Sequence, residues 1–310
     1  MMKVAILGGA GAMGGLFGVR LALAGEDVTL VDVWQDAVDV INTHGLQLIE
    51  KSGEKKTVQV RAVADTASIG KVDLVLVFVK CYHTQAAVGS ALPLLNETTT
   101  VLTLQNGWGN AARISEIVGA ERVLVGVTYN SATVLGPGQI QQAGVGPTVI
   151  GELDGRVSDR LSNIAGIFRS ASLEVTTSQQ VLTEIWSKLA LNVCTLPTSA
   201  LLRFYAGQLV EHQGTLDLMR VLLQETVSVA NAQGIKLDES ERWGSITGLL
   251  GRAKGARASM LQDVENHRQT EIEVINGAIV AAGRELGIPT PFNETMVWLV
   301  RSLEETFQES

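Results

Sequence analysis

Short apolar runs alternate with stretches of helical spacing along the N-terminal half of the chain. The run Asp73–Lys80 is almost wholly apolar, as expected of a parallel strand whose two faces are both covered. Residues Ser131–Leu153 are rich in glycine, threonine and glutamine and predict antiparallel hairpin strands at one edge. The other predicted elements are the strands Lys3–Gly8, Asp27–Asp32, Thr98–Asn106, Arg122–Asn130 and Glu174–Ser178, and the helices Gly14–Ala24, Gln35–His44, one between Asn106 and Arg122, and Arg156–Ser170. This alternation predicts a doubly wound α/β sheet.

Helical spacing dominates the rest of the chain. Its predicted helices are Gln180–Thr195, Gly214–Gln233, Asp238–Leu250, Ser259–Leu286 and Asn293–Phe307. Gly234 stops one of them, and Gly287 with Pro289 stops another. We therefore predict an α/β domain over residues 1–179 and an all-helical domain over residues 180–310.

Composition and charge narrow the class of protein. Hydrophobic residues make up 46% and charged residues 18%, which is enough to form a sizeable core. The net charge is −8 and no run of lysine or arginine occurs, so we expect neither a nucleic-acid nor an anionic-membrane partner. The longest wholly apolar run, Leu74–Val79, is too short to span a bilayer. Cys81, Cys194 and the four histidines have no metal-ligand spacing, which predicts reduced thiols, a cytoplasmic protein and no metal site.

A glycine motif follows the first predicted strand. Gly9, Gly11 and Gly14 form G-x-G-x-x-G with Ala12 and Met13, between a strand and a helix, as a dinucleotide site requires. The first glycine permits the tight turn, the second lets the backbone approach the pyrophosphate, and the third lets the helix pack on the strand. The helix N-terminus then directs its free N–H groups at the phosphates. The first domain is therefore predicted to be Rossmann-like, and a glycine-rich turn without a ligand is the alternative.

Asp32 ends the second predicted strand. A carboxylate there accepts hydrogen bonds from the adenine ribose hydroxyls and repels a 2′-phosphate. Because Val33 and not a cationic residue follows it, the sequence favours NAD(H) over NADP(H). The alternative is that Asp32 only caps the next turn.

Lys188 is a candidate for proton transfer. Glu184, Lys188 and Asn192 are four residues apart and share one stripe of a helix, next to an apolar stripe. A lysine bordering an apolar stripe is partly desolvated, which lowers its pKa and suits it to donate a proton. A surface ion pair between Glu184 and Lys188 is the plainer interpretation of the same spacing.

Other polar residues stand where a ligand would be bound. Asn106 and Lys80 end predicted strands at the edge where open α/β sheets bind ligands, although a turn residue and a solvated charge explain them equally well. Glu271 begins an otherwise apolar helical stripe and is either paired, functional or at the rim. Ser259 precedes a helical run and, at its simplest, is an N-cap.

Five separate stretches resemble the ketopantoate reductase (2-dehydropantoate 2-reductase) family, in the same domain order and over nearly the full chain. They are GAGAMG, VFVKCYH, LQNGWGN, EIWSKLALN and SMLQDVENHRQTEIEVING. The resemblance implies NAD(P)H-dependent reduction of the C2 ketone of 2-dehydropantoate to (R)-pantoate, within pantothenate biosynthesis. It implies a role for each matching residue: Lys188 as general acid, Asn192 orienting the substrate, Glu271 at its hydroxyl end, Ser259 at its carboxylate, Asn106 beside the cofactor and Lys80 near the cofactor phosphate.

Three positions depart from the family pattern. Val33 stands where the family commonly has an arginine for the 2′-phosphate of NADPH, so we expect NAD(H) although the family usually uses NADPH. Leu196 and Ala256 stand where the family often has asparagines. A pocket that loses hydrogen-bonding groups accepts a different or more apolar 2-oxo acid.

Two alternatives to ketopantoate reduction therefore stay open. One is an NAD-dependent reductase or dehydrogenase for another 2-oxo or 2-hydroxy acid. The other is a dinucleotide sensor without chemistry, which the joint presence of Lys188, Asn192, Ser259 and Glu271 argues against. The expected partner is a small 2-oxo acid, and the apolar C-terminal helices fit a homodimer interface as well as internal packing.

Overall fold

The structure is a computed structural model that describes residues 1–308. It divides into two compact units. The first unit comprises Met1–Gln105 and Asn110–Val181, and the second comprises Asn106–Gly109 and the chain from Leu182 onward. The short segment Asn106–Gly109 is thus continuous in sequence with the first unit but packs as part of the second.

The first unit contains all of the described strands and five helices. The strands are β1 (Lys3–Leu7), β2 (Asp27–Val31), β3 (Leu46–Ile49), β4 (Lys55–Val58), β5 (Arg61–Val63), β6 (Leu74–Val77), β7 (Thr100–Thr103), β8 (Val123–Thr128), β9 (Ser131–Gly136), β10 (Gln139–Gly144), β11 (Thr148–Glu152) and β12 (Val175–Thr177). The helices are α1 (Ala12–Leu23), α2 (Gln35–His44), α3 (Thr84–Ser90), α4 (Asn110–Val118) and α5 (Asp159–Ser170).

Eight strands form the main sheet, in the order β12-β11-β8-β7-β6-β1-β2-β5. Neighbouring strands are parallel, except that β11 runs antiparallel to β8. Ala5 of β1 is in register with Thr29 of β2 on one side and with Val75 of β6 on the other. The strand order therefore reverses at β1, and the loop after β1 lies at the switch point where such sheets bind ligands. The predicted doubly wound α/β class is confirmed.

A second sheet of four strands has the order β4-β3-β10-β9. The antiparallel pair β9 and β10 is the hairpin that the sequence predicts within Ser131–Leu153. This hairpin does not lie at the edge of the main sheet, because β10 pairs with β3 instead. In the same stretch, β11 does belong to the main sheet, where it lies beside the edge strand β12 and runs antiparallel to β8. The strands β3, β4 and β5 are short and mostly polar on one face, so their sequences carry no continuous apolar run.

The core of the first unit lies on the main sheet. The strands β1 and β6 are buried almost throughout, as their apolar sequences require. Phe17 of α1 is fully buried and its ring lies 4.9 Å from that of Phe78 and 5.6 Å from that of Phe168. Burial of one such ring contributes about 1.5–3 kcal/mol, so these contacts hold α1 and α5 on the sheet.

The second unit is helical, as predicted. Its helices are α6 (Val181–Leu202), α7 (Gln213–Ala232), α8 (Glu239–Arg252), α9 (Ser259–Glu265), α10 (Asn276–Leu286) and α11 (Pro291–Glu305). The first of these, α6, passes through Pro197 and ends seven residues beyond the predicted Thr195.

One predicted helix of this unit is wrong. The sequence predicts a single helix over Ser259–Leu286, but α9 and α10 are separate, with a short 3₁₀ helix at Ile272–Val274 between them. The chain leaves α9 at His267, which has a left-handed backbone with φ of 51°. The amide of Arg268 closes this turn on the carbonyl of Asp263 at 2.8 Å. The turn uses neither glycine nor proline, so the sequence carried no stop signal.

Candidate active site

The glycine loop connects β1 to α1 at the switch point of the main sheet. A Cβ on Gly14 would lie 2.2 Å from the carbonyl oxygen of Gly8, and one on Gly9 would lie 2.6 Å from the Cβ of Leu30. Neither position therefore accepts a side chain without a backbone shift. Gly11 caps α1 from an extended conformation, and the first turn of α1 carries no acidic residue. The first-turn N–H groups lack intrahelical acceptors, so this backbone fits a pyrophosphate.

Asp32 lies directly after β2, beside this loop. Its Oδ2 accepts a hydrogen bond from the amide of Ala10 at 3.0 Å, and its Oδ1 accepts one from the amide of Trp34 at 3.1 Å. The carboxylate thus ties the glycine loop to the start of α2, and the capping role that the sequence left open is present. Each oxygen keeps a further lone pair for a ribose hydroxyl. Val33 beside it is 90% exposed and carries no charge.

Lys80 lies in the same unit, beyond the end of β6. It precedes a 3₁₀ helix at Cys81–His83, and its backbone carbonyl accepts a hydrogen bond from the amide of His83 at 2.8 Å. Its side chain is half-buried. Lys80 therefore follows the strand next to β1, at the edge of the sheet where the glycine loop also lies.

In the second unit, Lys188 and Asn106 come together from distant parts of the chain. The Lys188 Nζ donates a hydrogen bond to the Asn106 Oδ1 at 2.8 Å. Lys188 lies on α6 and is half-buried. Glu184, one turn earlier, forms no ion pair within the described chain, so the surface-pair interpretation of this spacing is wrong. The helical stripe places Lys188 toward an amide acceptor and not toward Glu184.

The segment after Asn106 is fixed on the second unit by its backbone. Gly107 has φ of 86°, and a Cβ on it would lie 2.4 Å from the carbonyl oxygen of Val274. The amide of Trp108 donates to that same carbonyl at 2.8 Å, and its ring lies 5.3 Å from the ring of Trp186. The unusual backbone belongs to Gly107, whereas the side chain of Asn106 accepts the hydrogen bond from Lys188.

Glu271 completes the charged group around Lys188. It is only 7% exposed, so it is buried and not a rim residue, and it precedes the 3₁₀ helix at Ile272–Val274. It does not begin a helical stripe, because α10 starts only at Asn276. Burial lowers the pKa of Lys188 to about 8, and the Glu271 carboxylate opposes this by raising it. A lysine with this pKa is mostly protonated at neutral pH and gives its proton up readily.

Asn192 and Ser259 differ in their surroundings. Asn192 lies one turn after Lys188 on α6 and is 7% exposed, and its side-chain amide has no hydrogen-bond partner within residues 1–308. A buried amide without a partner fits a group that receives a ligand. Ser259 is exposed and is the first residue of α9. The N-cap is Ala258, so the simple capping interpretation of Ser259 is wrong.

The sequence did not single out Trp108, Val274 or Asn276, whose hydrogen bonds join the segments that carry Lys188, Asn106 and Glu271. Trp108 gives one signal, a large aromatic residue between two glycines. Val274 acts through its backbone carbonyl, which no sequence pattern marks.

Within residues 1–308, no three His, Cys, Asp or Glu side chains are grouped to hold a metal ion. Cys194 is buried, and burial raises the pKa of its thiol, so it stays neutral. None of the helices in the described chain has the length and apolar character needed to cross a membrane.

A glycine loop at the switch point of a doubly wound sheet fits a dinucleotide, and a half-buried lysine held by an amide beside a carboxylate fits a proton donor. Both features are those expected of a nicotinamide-dinucleotide-dependent oxidoreductase. Comparison with known proteins makes the assignment specific. The sequence model of the family "Ketopantoate reductase PanE/ApbA" matches residues 4–155, and that of its C-terminal domain matches residues 180–304. The chain therefore belongs to the ketopantoate reductase family, whose enzymes act on a CH–OH group of a small-molecule substrate.

Individual proteins similar to this chain include members of the same family. A 2-dehydropantoate 2-reductase of Streptococcus pyogenes serotype M6 is 31% identical over 96% of this chain and 97% of its own length. One from Halobacterium salinarum is 33% identical, with the same coverage. Among solved structures, a PanE/ApbA family ketopantoate reductase from Ralstonia eutropha is similar with a TM-score of 0.91 and 34% identity, covering 99% of this chain and 100% of that one. A D-mandelate dehydrogenase bound to NADH and anilino(oxo)acetate is similar with a TM-score of 0.93 and 28% identity, covering 99% of each chain.

Proposed function

We propose that this chain reduces the C2 ketone of 2-dehydropantoate to (R)-pantoate with Lys188 as the general acid. The observation that carries the proposal is the hydrogen bond from Lys188 Nζ to Asn106 Oδ1 at 2.8 Å, beside the buried Glu271. An ammonium held by an acceptor amide has a fixed direction in which it donates its protons. Such a preorganised donor suits the oxygen of a ketone that becomes an alkoxide.

The other residues of the group bind and orient the substrate. When bound, the reduced nicotinamide supplies the hydride. Lys188 polarises the ketone oxygen, stabilises the charge that develops there and transfers a proton to it. Asn192, buried and without a partner in the described chain, orients the substrate. Glu271 receives the substrate hydroxyl, and Ser259, exposed at the start of α9, contacts its carboxylate.

NADH is the proposed reductant. Asp32 places a carboxylate at the end of β2, and the neighbouring Val33 offers no cation for a 2′-phosphate. The D-mandelate dehydrogenase structures that resemble this chain contain NADH. In the first unit, Lys80 and the glycine loop, with Ala12 and Met13 in the first turn of α1, complete the proposed cofactor site. For Asn106, in the second unit, the family resemblance implies a cofactor-binding role.

The direct test follows the absorbance of reduced nicotinamide with purified protein and 2-dehydropantoate. NADH and NADPH are supplied separately, at equal concentrations. We expect rapid oxidation of NADH and slower oxidation of NADPH. Oxidation of NADPH alone would keep the reaction and refute the role of Asp32.

A second candidate is the NAD-dependent reduction of another 2-oxo acid. Leu196, buried on α6, replaces the asparagine that the family often carries, and the fold is similar to a D-mandelate dehydrogenase. A panel of aliphatic and aromatic 2-oxo acids, compared by kcat/KM, separates the two candidates. The relatives are named as reductases and dehydrogenases, so the alternative of a non-catalytic sensor gains no support.

A further inference from the structure

Pro197 lies inside α6, about two and a half turns after Lys188. In an α-helix, the N–H of each residue donates to the carbonyl four residues earlier. Proline has no N–H, so the carbonyl of Val193 loses its donor from within the helix. The helix nevertheless continues to Leu202, and the freed carbonyl is buried, where an unpaired acceptor is costly.

Asn276, the first residue of α10, supplies the missing donor. Its Nδ2 donates to the Val193 carbonyl at 3.2 Å and to the Asn293 Oδ1 at 3.0 Å. Asn276 is fully buried, and its own Oδ1 accepts no hydrogen bond within the described chain. The amide is therefore kept in the core for what its nitrogen donates.

The carboxylate of Glu225 fixes which amide atoms of Asn293 and Asn276 donate and which accept. Asn293 donates through its Nδ2 to Glu225 Oε2 at 2.7 Å, so its Oδ1 must face Asn276. Glu225 also accepts the backbone amides of Phe292 and Asn293, each at 2.9 Å. An ionised carboxylate only accepts, so the donors run from Asn276 through Asn293 to Glu225. The orientation of the Asn276 amide toward Val193 is thereby set.

Asn276 also directly follows the segment that carries Glu271. This segment is joined to Asn106–Gly109 by the hydrogen bond from the Trp108 amide to the Val274 carbonyl, and Asn106 accepts from Lys188 on α6. The hydrogen bond from Asn276 to the carbonyl of Val193 then connects the Glu271 segment directly to α6. Three hydrogen bonds thus connect the three segments that carry Lys188, Asn106 and Glu271.

We propose that Asn276 is a positioning residue, which uses the carbonyl freed by Pro197 to hold the Glu271 segment at a fixed place on the helix that carries Lys188. The proposal rests on the function proposed above for Lys188 and Glu271. A bond made only to satisfy a buried carbonyl would affect stability, whereas a bond that sets the spacing of two catalytic groups also affects turnover.

The experiment separates these two effects with Asn276→Ala, Pro197→Ala and the double variant. Pro197→Ala restores an N–H that can donate to Val193, so the double variant satisfies the carbonyl without the tie to Asn276. Thr198→Val is the matched control, because it removes another buried side-chain bond of α6, from Thr198 Oγ1 to the Cys194 carbonyl at 2.7 Å. Melting temperature, kcat and the KM for each substrate are measured for all four, with whichever 2-oxo acid the unaltered protein reduces.

We expect Asn276→Ala to lower the melting temperature by several degrees and kcat by about tenfold. The double variant regains most of the melting temperature and keeps the low kcat, and Thr198→Val keeps the unaltered kcat. Recovery of kcat in the double variant would overturn the proposal, as would an Asn276→Ala variant within twofold of the unaltered kcat. If Asn276→Ala does not fold, the double variant alone decides between the same two results.

Amide hydrogen exchange provides a readout that needs no substrate. The amides of Val274 and Ile275 close the turn at Glu271 and Ile272, each at 3.2 Å. We expect both to exchange faster in Asn276→Ala and to stay fast in the double variant. Unchanged exchange in both variants would refute the positioning role of Asn276, whether or not the chain reduces any acid tested. If it reduces none of them, the proposed function is refuted separately.

Discussion

The candidate site in the first unit is made mainly of backbone groups, whereas the candidate site in the second unit is made of side chains. The glycine loop of the first unit consists of backbone, held by hydrogen bonds to the carbonyl of Val31 and to the side chain of Asp32. The group around Lys188 consists of side chains from three segments, and Asn106 and Lys188 are 82 residues apart. A backbone site requires glycines, which leave room for the ligand. A side-chain site requires a fold that holds its side chains at fixed distances from one another. The first should therefore fail in binding when altered, and the second in turnover.

Replacing Lys188 with alanine should have the largest effect. It removes the proposed general acid, and general acids contribute about 10²–10⁴-fold, so we expect kcat to fall by about a thousandfold. The affinity for the cofactor, measured by fluorescence titration, should change little, because the glycine loop is untouched. Glu184→Gln on the same helix is the control and should keep full turnover, since Glu184 forms no ion pair in the described chain. A Lys188→Ala variant that retains a tenth of its turnover would refute the assignment.

Gly14→Ala should produce the opposite pattern. The added methyl would lie 2.2 Å from the Gly8 carbonyl oxygen, so the loop must shift away from its pyrophosphate-binding form. We expect the Kd for the cofactor to rise about a hundredfold, with kcat at saturating cofactor largely kept. Gly166→Ala is the control, because a Cβ there meets no atom within 4 Å. Equal losses in both variants would show that the loss does not arise from the glycine loop.

This difference between backbone and side-chain sites also explains which features could be predicted from the sequence. The glycine loop and α2, which spans Gln35–His44 as predicted, are local features of sequence. The turn at His267 was missed because its left-handed residue is neither glycine nor proline. Helical spacing marked Lys188 and Glu271 as candidates and the family resemblance implied their roles, while the bond between Lys188 and Asn106 arises only from folding. Pro197 was visible, but the partner of its freed carbonyl, Asn276, was not.

Glu271→Gln tests the electrostatics of the Lys188 group. Burial lowers the pKa of Lys188 to about 8 and the Glu271 carboxylate raises it, so neutralising Glu271 should lower that pKa further. A general acid acts when protonated, so activity is lost as pH rises through its pKa. The alkaline limb of the kcat/KM profile should therefore lie near pH 8 in the unaltered protein and at lower pH in the variant.

The matched control is Glu273→Gln, two residues along the chain. Glu273 is exposed and pairs with Arg301 through bonds of 2.6 and 2.7 Å, so its loss should leave the alkaline limb in place. An alkaline limb that Glu271→Gln leaves unmoved would mean that Lys188 does not set it.

Val33→Arg should have the smallest effect and acts on the first unit alone. Val33 is 90% exposed, so an arginine there costs little stability and brings a cation beside Asp32. A charge-assisted hydrogen bond to a 2′-phosphate contributes about 1.5–3 kcal/mol, so we expect the ratio of kcat/KM for NADPH to that for NADH to rise about tenfold or more. Val33→Gln is the neutral control of similar size and should leave the ratio unchanged. If both variants leave it unchanged while Lys188→Ala abolishes turnover, cofactor choice is set away from the end of β2. The backbone site would then bind the pyrophosphate without reading the adenine ribose.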